Sequence, residues 1–414
     1  MTQESLTEKL AKHLMRPIDD ATRQRARLHL LDWLGCVAGA RESKVGSLIK
    51  PYSSDDISGA SAMLGNVLEM DDIHRSSILH PGPVIWPTLI LNSKVNIDRI
   101  LDAAVKGYEA TVAIGATFDA KHYSMYHNTS TAGQFGAAVA TASLNDCDEN
   151  QLMSAMGLAG SVSGGLWQMR NEPCEAKQWH VDSAYRTGKA AGYHALRGLS
   201  GPRFILEGPQ GLYAATCDQP NEMEFSDQWR IYEVSFKPWG ACRHAHPAID
   251  AALELRKKCG SLDGEILIET YSDALIFCDR PNPQTVIDAK FSLQHAVAVV
   301  AEKGVPELVD FEPKAIASFT DCRSRVTVKE SSDITSRYPE HYGARATCSD
   351  QSVELVDTLG DPERPMSNEQ VIKKARELIA WGGLPEKEAD RAVHLALEGD
   401  DSSSIHQMLS DWLS

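Results

Sequence analysis

The chain has 414 residues, of which 43% are hydrophobic and 24% charged, and its formal net charge at pH 7 is −16. This length suits two or three domains, and the composition is typical of a globular protein. The acidic balance argues against nucleic acid or an anionic membrane as a partner, because both favour a basic surface. A small anionic substrate stays possible, since salt screens distant charges beyond about 8–10 Å.

The sequence carries no apolar run of the roughly 18–20 residues that span a bilayer, and its N-terminal stretch lacks the features of a secretion signal. We therefore expect a soluble, cytoplasmic protein. The nine cysteines include no CxxC pair. This pattern indicates free thiols in a reducing compartment rather than disulfides or a structural zinc site, although a nucleophilic cysteine stays an alternative.

The predicted elements fall into two classes along the chain. Residues 6–40 have a helical pattern, and several Ala/Gly-rich segments up to about residue 200 place small or apolar residues at helical spacing. Such segments are typical of helices packed on one another in a buried bundle. After about Cys259, short β-branched runs alternate apolar and polar residues, as half-buried strands do, around a helix that ends near Gly304. Helix returns with Ser367 as its N-cap.

This order predicts a mainly α fold with two domains. The large all-helical domain comprises residues 1–257 and 363–414, and the smaller α+β domain comprises residues 258–362.

The first polar cluster contains Glu69, Asp71, Asp72, His74 and His80. Neighbouring carboxylates and imidazoles shift each other's pKa toward neutrality and suit proton transfer. Helix capping in a solvated acidic turn is the alternative. A metal site is disfavoured, because the spacing matches no zinc or iron pattern.

The next two candidates are His127 and Lys177. His127 precedes a Thr-Ser-Thr stretch at a predicted helix start, where NH groups and hydroxyls would bind a carboxylate; a capped helix with a surface histidine is the alternative. Lys177 lies between a loop and a predicted helix, although most lysines are simply solvated.

A cationic segment follows at Lys237, Arg243 and His246. Guanidinium and imidazole groups held by prolines suit an anionic ligand, although a plain surface turn has the same composition. His295 lies on an apolar helix, where a histidine is more often a satisfied core residue. No GxGxxG, Walker A or GxSxG motif supports nucleotide binding or serine hydrolysis.

Taken in order, six segments of the chain resemble the MmgE/PrpD family: LLDWLGCVAGA, GNVLEMDDIHRSSILHPG, HNTSTAGQFGAA, SFKPWGACRHAHPAIDA, AKFSLQHAVA and GDPERPMS. The family includes 2-methylcitrate dehydratases, cis-aconitate decarboxylases and an iminodisuccinate epimerase. The resemblance implies a large helical domain, a smaller α+β domain, an active site in the cleft between them, and a homodimer that requires no metal or cofactor.

The resemblance also assigns site residues, because these positions match the family's motifs: Asp71, Asp72, His80, His127, Lys177 and His246. Three positions depart from the pattern. Glu69 stands where Asp is common, Ile73 where Thr is expected, and His295 where decarboxylase-like members carry Tyr. These departures disfavour strict cis-aconitate decarboxylation and leave the substrate open.

We therefore predict a cofactor-independent lyase that dehydrates a 2-methylcitrate-like hydroxy-polycarboxylate. His80 and His127 would exchange protons, with Asp72 orienting an imidazole. The predicted catalytic residues are Glu69, Asp72, His80, His127 and Lys177, and the predicted substrate-binding residues are Lys237, Arg243, His246 and His295. Alternatives are a decarboxylase or epimerase of a related acid, a non-catalytic carboxylate-binding relative, and a metal-dependent hydratase.

Overall fold

The computed structural model describes residues 4–90, 93–172 and 174–414. By its internal contacts the chain divides into two compact units. Unit 1 comprises Met1–Val67, Asp71–Val234 and Ser367–Ser414, and unit 2 comprises Leu68–Met70 and Ser235–Met366. Unit 1 is helical and unit 2 mixes helices with a small sheet, so the predicted mainly α fold with a smaller α+β part is confirmed.

Unit 1 begins with a long series of helices. They are α1 Leu6–Leu14, α2 Asp20–Ala40, α3 Lys44–Ser53, α4 Ile57–Leu64, α5 Gly82–Leu89, α6 Ile97–Gly115, α7 Ala120–Met125, α8 Asn128–Leu144, α9 Glu149–Gly160, α10 Ala176–Leu196 and α11 Leu212–Thr216. The predicted helix over residues 6–40 is in fact two helices, because the Asp19 side chain caps a new helix by accepting from the Thr22 amide.

Helix α8 lies at the centre of the bundle, packed against α5, α6, α9 and α10. The small residues predicted to allow close packing do so here. A Cβ on Gly136 would lie 2.5 Å from the carbonyl oxygen of Gly107 on α6 and would overlap the Thr111 hydroxyl. The backbones of α6 and α8 therefore approach as closely as a glycine permits.

Unit 2 is built on a four-stranded sheet of order β2-β1-β3-β4, in which β1 and β2 are parallel and the other pairs antiparallel. Its elements are α12 His246–Cys259, β1 Ile266–Thr270, α13 Ser272–Cys278, α14 Val286–Lys290, α15 Leu293–Glu302, α16 Pro313–Ser318, α17 Thr320–Arg323, β2 Val326–Glu330, α18 Ser332–Thr335, β3 Ala344–Cys348 and β4 Gln351–Leu355.

The alternating burial of β1 and β3 follows the predicted half-buried pattern. Helices α12 and α15 pack on each other, and α12 also packs on β3 and β4. This packing places α12 in unit 2, whose long segment begins at Ser235, whereas the predicted α+β domain begins at residue 258.

The chain then returns to unit 1 with α19 Asn368–Trp381, α20 Glu386–Glu398 and α21 Ser402–Leu413. The predicted N-cap at Ser367 is confirmed, since its side chain accepts a hydrogen bond from the Gln370 amide. Helix α19 packs on α2, where the Lys374 ammonium donates to the Asp32 carboxylate at 2.6 Å. Within the described residues, no helix is both long and apolar enough to cross a membrane.

Candidate active site

The segment between α4 and α5 carries the first predicted cluster into the interior of unit 1. Asp71, Asp72, His74 and His80 are all buried although the segment is largely irregular. Buried polar side chains must find hydrogen-bond partners, so their contacts define what each one does.

Asp72 ties this segment to the surrounding helices. One carboxylate oxygen accepts from the His29 Nδ1 at 2.8 Å and from the Tyr108 hydroxyl at 2.6 Å, and the other accepts from the Gly82 amide at 2.9 Å. Burial raises the pKa of Asp72 to about 6, against the hydrogen bonds from Tyr108 and Gly82 that lower it. Burial also holds the pKa of His29 well below its usual value, so His29 is a neutral donor.

His80 takes its orientation from the preceding aspartate. Its Nδ1 lies 2.9 Å from a carboxylate oxygen of Asp71 and 3.1 Å from the Asp72 carbonyl oxygen. The same Asp71 oxygen accepts a hydrogen bond from the side-chain Nδ2 of Asn66 at 2.6 Å. The imidazole therefore carries a proton on Nδ1, and among the described residues its Nε2 has no hydrogen-bond partner. Asp72 was predicted to orient an imidazole, and the imidazole that its carboxylate contacts is His29, whereas the carboxylate that contacts His80 is Asp71.

His127 is the N-cap residue of α8 and is buried. Its Nδ1 lies 3.3 Å from the Nδ1 of His180, and its ring centroid lies 4.6 Å from that of Trp167. Burial holds the pKa of His127 well below its usual value, and the charges of Lys177, His180 and His80 act in the same direction. His127 is therefore a neutral imidazole close to these three side chains, and within the described chain its Nε2 has no hydrogen-bond partner.

Two of the three hydroxyls that follow His127 make hydrogen bonds within the protein. The Thr129 hydroxyl accepts from the His80 amide at 3.1 Å, which ties the two imidazole-bearing segments together. The Thr131 hydroxyl lies 2.9 Å from the His122 Nε2. The predicted carboxylate site at these hydroxyls stays a prediction.

Lys177 lies in the first turn of α10 and is half-buried. The N-cap residue of α10, Glu175, makes no side-chain capping bond. A lysine close to the positive end of a helix dipole attracts an anion, because both charges have the same sign.

In unit 2, the loop residue Glu69 pairs with Lys237, whose Nζ lies 3.4 Å from its carboxylate. Both side chains are buried, and the Lys290 ammonium donates to the adjacent Leu68 carbonyl at 2.9 Å. Glu69 adopts φ 58°, a left-handed conformation that costs free energy for a residue with a side chain. Two lysines hold the loop in this conformation.

Arg243 and His246 contact each other and the segment near residue 360. The Arg243 guanidinium pairs with Asp361 and donates to the Leu359 carbonyl at 3.3 Å. The His246 Nδ1 lies 3.3 Å from the Arg243 Nη1, and its Nε2 donates to the Ala241 carbonyl at 3.1 Å. Both ring nitrogens of His246 are thus engaged within unit 2.

His295 is buried at the start of α15. Its Nε2 donates to the Asp310 carbonyl at 2.8 Å and its Nδ1 lies 3.3 Å from the Arg323 guanidinium. Burial lowers the pKa of His295, while the Asp310 carbonyl opposes this and Arg323 adds to it. These contacts are those of a satisfied core histidine, so a substrate-binding role for His295 stays a prediction.

The structure therefore brings His80, His127 and Lys177 together within unit 1, with Asp72 supporting the same segment. Four residues that contact this arrangement were not predicted from the sequence: Asn66, His29, Tyr108 and His180. The remaining predicted residues belong to unit 2: Glu69, Lys237, Arg243, His246 and His295.

One group of side chains in unit 2 has the geometry of a possible metal site. Within the described residues, His341, Asp357 and Glu363 bring three potential ligand atoms within 4.8 Å of one another. All three are at least partly exposed, and such groups commonly lie together without an ion.

Buried imidazoles whose Nδ1 atoms contact orienting side chains are suited to acid–base chemistry. The chain matches the MmgE/PrpD N-terminal domain over residues 58–224 and the MmgE/PrpD C-terminal domain over residues 239–399. It therefore belongs to the MmgE/PrpD family.

Three curated proteins are similar to this chain. The human cis-aconitate decarboxylase is 24% identical over 253 residues, covering 53% of this chain and 52% of the relative. The mouse cis-aconitate decarboxylase is 22% identical, covering 53% and 51%. The cis-aconitate decarboxylase-like protein oryM of Aspergillus oryzae is 21% identical over 384 residues, covering 83% and 79%. The match thus spans about half the length of the two mammalian relatives.

Proposed function

We propose that this chain is an enzyme that moves protons at a carbon next to a carboxylate, and that its reaction is the dehydration of a 2-methylcitrate-like hydroxy-polycarboxylate. The observation that carries the proposal is the pair His80 and His127. Each imidazole is anchored at Nδ1, by Asp71 and by His180 respectively, and each leaves Nε2 without a partner among the described residues.

Elimination of water needs a base that removes a C–H proton and an acid that protonates the departing hydroxyl. Two imidazoles of the same unit supply these two functions. In this proposal Lys177 stabilises the negative charge that develops on the substrate carboxylate, helped by the N-terminus of α10.

Four residues of unit 2 have further predicted roles in this reaction. Glu69 would serve as a further catalytic carboxylate, while Lys237, Arg243 and His246 would bind substrate carboxylates. The homodimer and the cytoplasmic location also stay predictions.

Decarboxylation of a cis-aconitate-like acid is the second candidate, favoured by the names of the three similar proteins. That reaction needs one proton donor for the carbanion left by carbon dioxide, so a single imidazole suffices. The second anchored imidazole is the reason for placing dehydration first.

A proton NMR time course in D2O tests the proposal. Chelator-treated protein would be incubated with 2-methylcitrate, citrate, cis-aconitate, iminodisuccinate and related acids. Dehydration of 2-methylcitrate turns its methyl doublet into a singlet, because the neighbouring C–H is lost. Carbon dioxide release with deuterium in the product identifies a decarboxylase, and deuterium in recovered substrate identifies an epimerase. A protein that binds an acid, raises its melting temperature and leaves it unchanged would contradict catalysis.

Variants then test the site. His127→Ala and Lys177→Ala should each lower the rate at least ~100-fold, the usual size of an acid–base or charge-stabilising contribution. His394→Ala is the matched control, since its side chain on α20 is exposed and pairs with Glu398 one turn away. Near-normal turnover in both site variants would remove the assignment.

A further inference from the structure

His180 is a titratable side chain for which neither the family pattern nor the proposed chemistry accounts. It lies in the first turns of α10, on the same helix face as Lys177, and it is partly exposed. Its Nδ1 lies 3.3 Å from the Nδ1 of the buried His127, with an angle of 37° between the rings. His180 therefore contacts the buried His127 while its own side chain is partly exposed.

A contact between two Nδ1 atoms constrains the protons of both rings. A neutral imidazole has one protonated and one bare nitrogen, so one ring must donate and the other accept. Burial lowers the pKa of both histidines, and for His127 the neighbouring Lys177 adds to this effect. Both shifts favour neutral rings, and a 3.3 Å contact between the Nδ1 atoms of two neutral rings holds one shared proton. If that proton belongs to His127, its Nε2 is a base; if it belongs to His180, the His127 Nε2 is an acid.

A glycine in the neighbouring backbone leaves room for the contact between His127 and His180. Gly165 has φ 120°, which favours glycine, and its carbonyl accepts from the His127 amide at 2.9 Å. A Cβ at this position would lie 2.6 Å from the Ser130 hydroxyl and 3.5 Å from the His180 Nδ1. The next residue, Leu166, and the neighbour of His180, Trp179, are both exposed. The pair therefore lies where a buried ring meets the surface of the unit.

We propose that His180 is a positioning residue that relays protons between His127 and water. The substrate proton binds to the bare Nε2 of His127, and the proton on the His127 Nδ1 moves to the His180 Nδ1. His180 then releases its own Nε2 proton to water. Both rings end neutral, with the shared proton now donated by His180, and the same steps run backwards when His127 delivers a proton. This relay rests on the proposed function, because it assumes that His127 exchanges protons with a substrate.

Two substitutions separate a relay from a purely orienting role. His180→Asn keeps a polar group at the position of Nδ1 but cannot pass a proton on, whereas His180→Ala removes the ring and leaves space for free imidazole. We expect both variants to lower the rate about 10- to 100-fold, and added imidazole to restore much of the rate of His180→Ala alone. His194→Gln is the control, because His194 is exposed on the same helix. A wild-type rate in His180→Asn, or no rescue of His180→Ala by imidazole, would overturn the relay.

A second measurement does not depend on turnover. In protein labelled with ¹⁵N-histidine, the ring nitrogen shifts report which nitrogen carries the proton. We expect His127 to be protonated at Nδ1 in the wild type and to change its tautomer in His180→Ala. Identical His127 shifts in the two proteins would refute the coupling. If the wild type converts none of the acids, the proposed function fails, and this measurement alone decides whether the pair shares a proton.

Discussion

Replacing Lys374 by methionine removes the ammonium that neutralises Asp32 inside unit 1. The two charges lie 2.6 Å apart and both side chains are buried. Burial raises the pKa of Asp32 to about 6, although Lys374 acts to lower it. Burial opposes the charged form of Lys374 as well, but Asp32 outweighs it and the pKa of Lys374 is raised.

The size of the effect follows from these contacts. At an effective dielectric constant of about 20, charges at this distance attract by about 6 kcal/mol, part of which offsets desolvation. Without Lys374 the buried carboxylate is left uncompensated or must take up a proton, and removing one partner of a buried ion pair costs about 3–5 kcal/mol. We therefore expect Lys374→Met to lower the free energy of unfolding by about 3–4 kcal/mol at pH 7.

The deficit should depend on pH in a defined direction. The folded-state pKa of Asp32 is raised above its unfolded value, so the folded protein holds this proton more tightly. Below about pH 6 the wild-type carboxyl is itself mostly neutral and needs no ammonium. The difference between wild type and variant should therefore be smaller at pH 5 than at pH 7.

Urea unfolding followed by tryptophan fluorescence measures this loss, since Trp33, Trp86 and Trp412 are buried in unit 1. Lys373→Met is the control, because Lys373 is exposed and should change stability by less than about 0.5 kcal/mol. The double variant Asp32→Asn/Lys374→Met should recover most of the loss, since neither charge remains. A single variant as stable as the control, or a double variant no better than the single, would refute the argument.

Three further outcomes follow from the site and the bundle. Asp71→Asn should lower turnover about 100-fold, because an amide fixes the His80 proton less well than a carboxylate; kinetics beside a thermal melt separates this from unfolding. Tyr108→Phe removes one hydrogen-bond donor to Asp72 and should lower the free energy of unfolding in urea by about 1–3 kcal/mol. Wild-type stability in this variant would contradict the role given to the hydroxyl. Gly136→Ala forces α8 away from α6 and should cost about 1–3 kcal/mol, so a variant of wild-type stability would contradict the close packing.

Much of the fold follows from local patterns in the sequence. Two-residue alternation predicted the strands, and Ser367 predicted the start of α19, because these signals depend on neighbouring residues only. The boundary of unit 2 depends instead on what α12 packs against. Its sequence is helical in either unit, and its contacts with α15, β3 and β4 assign it to unit 2.

The candidate site was predicted less completely, for a similar reason. His80, His127 and Lys177 stand in polar clusters and could be found from composition. The partners of Asp72 are His29 and Tyr108, which come from distant helices and look like ordinary helical residues in the sequence. His180 did leave a signal, since it follows Lys177 at the spacing that places two side chains on one helix face.

The adjacent residues Asp71 and Asp72 make different contacts although they belong to one short motif. Chain neighbours in an irregular segment direct their side chains differently, and here the Asp71 carboxylate meets a site imidazole while the Asp72 carboxylate meets the scaffold. The Asp72 backbone carbonyl still accepts from His80, so the scaffold residue also supports the ring. The two aspartates therefore have two different structural roles: Asp71 orients the His80 imidazole, and Asp72 ties the segment to α2 and α6. Asp71→Asn and Tyr108→Phe perturb these functions separately, so the first should change rate more than stability and the second stability more than rate.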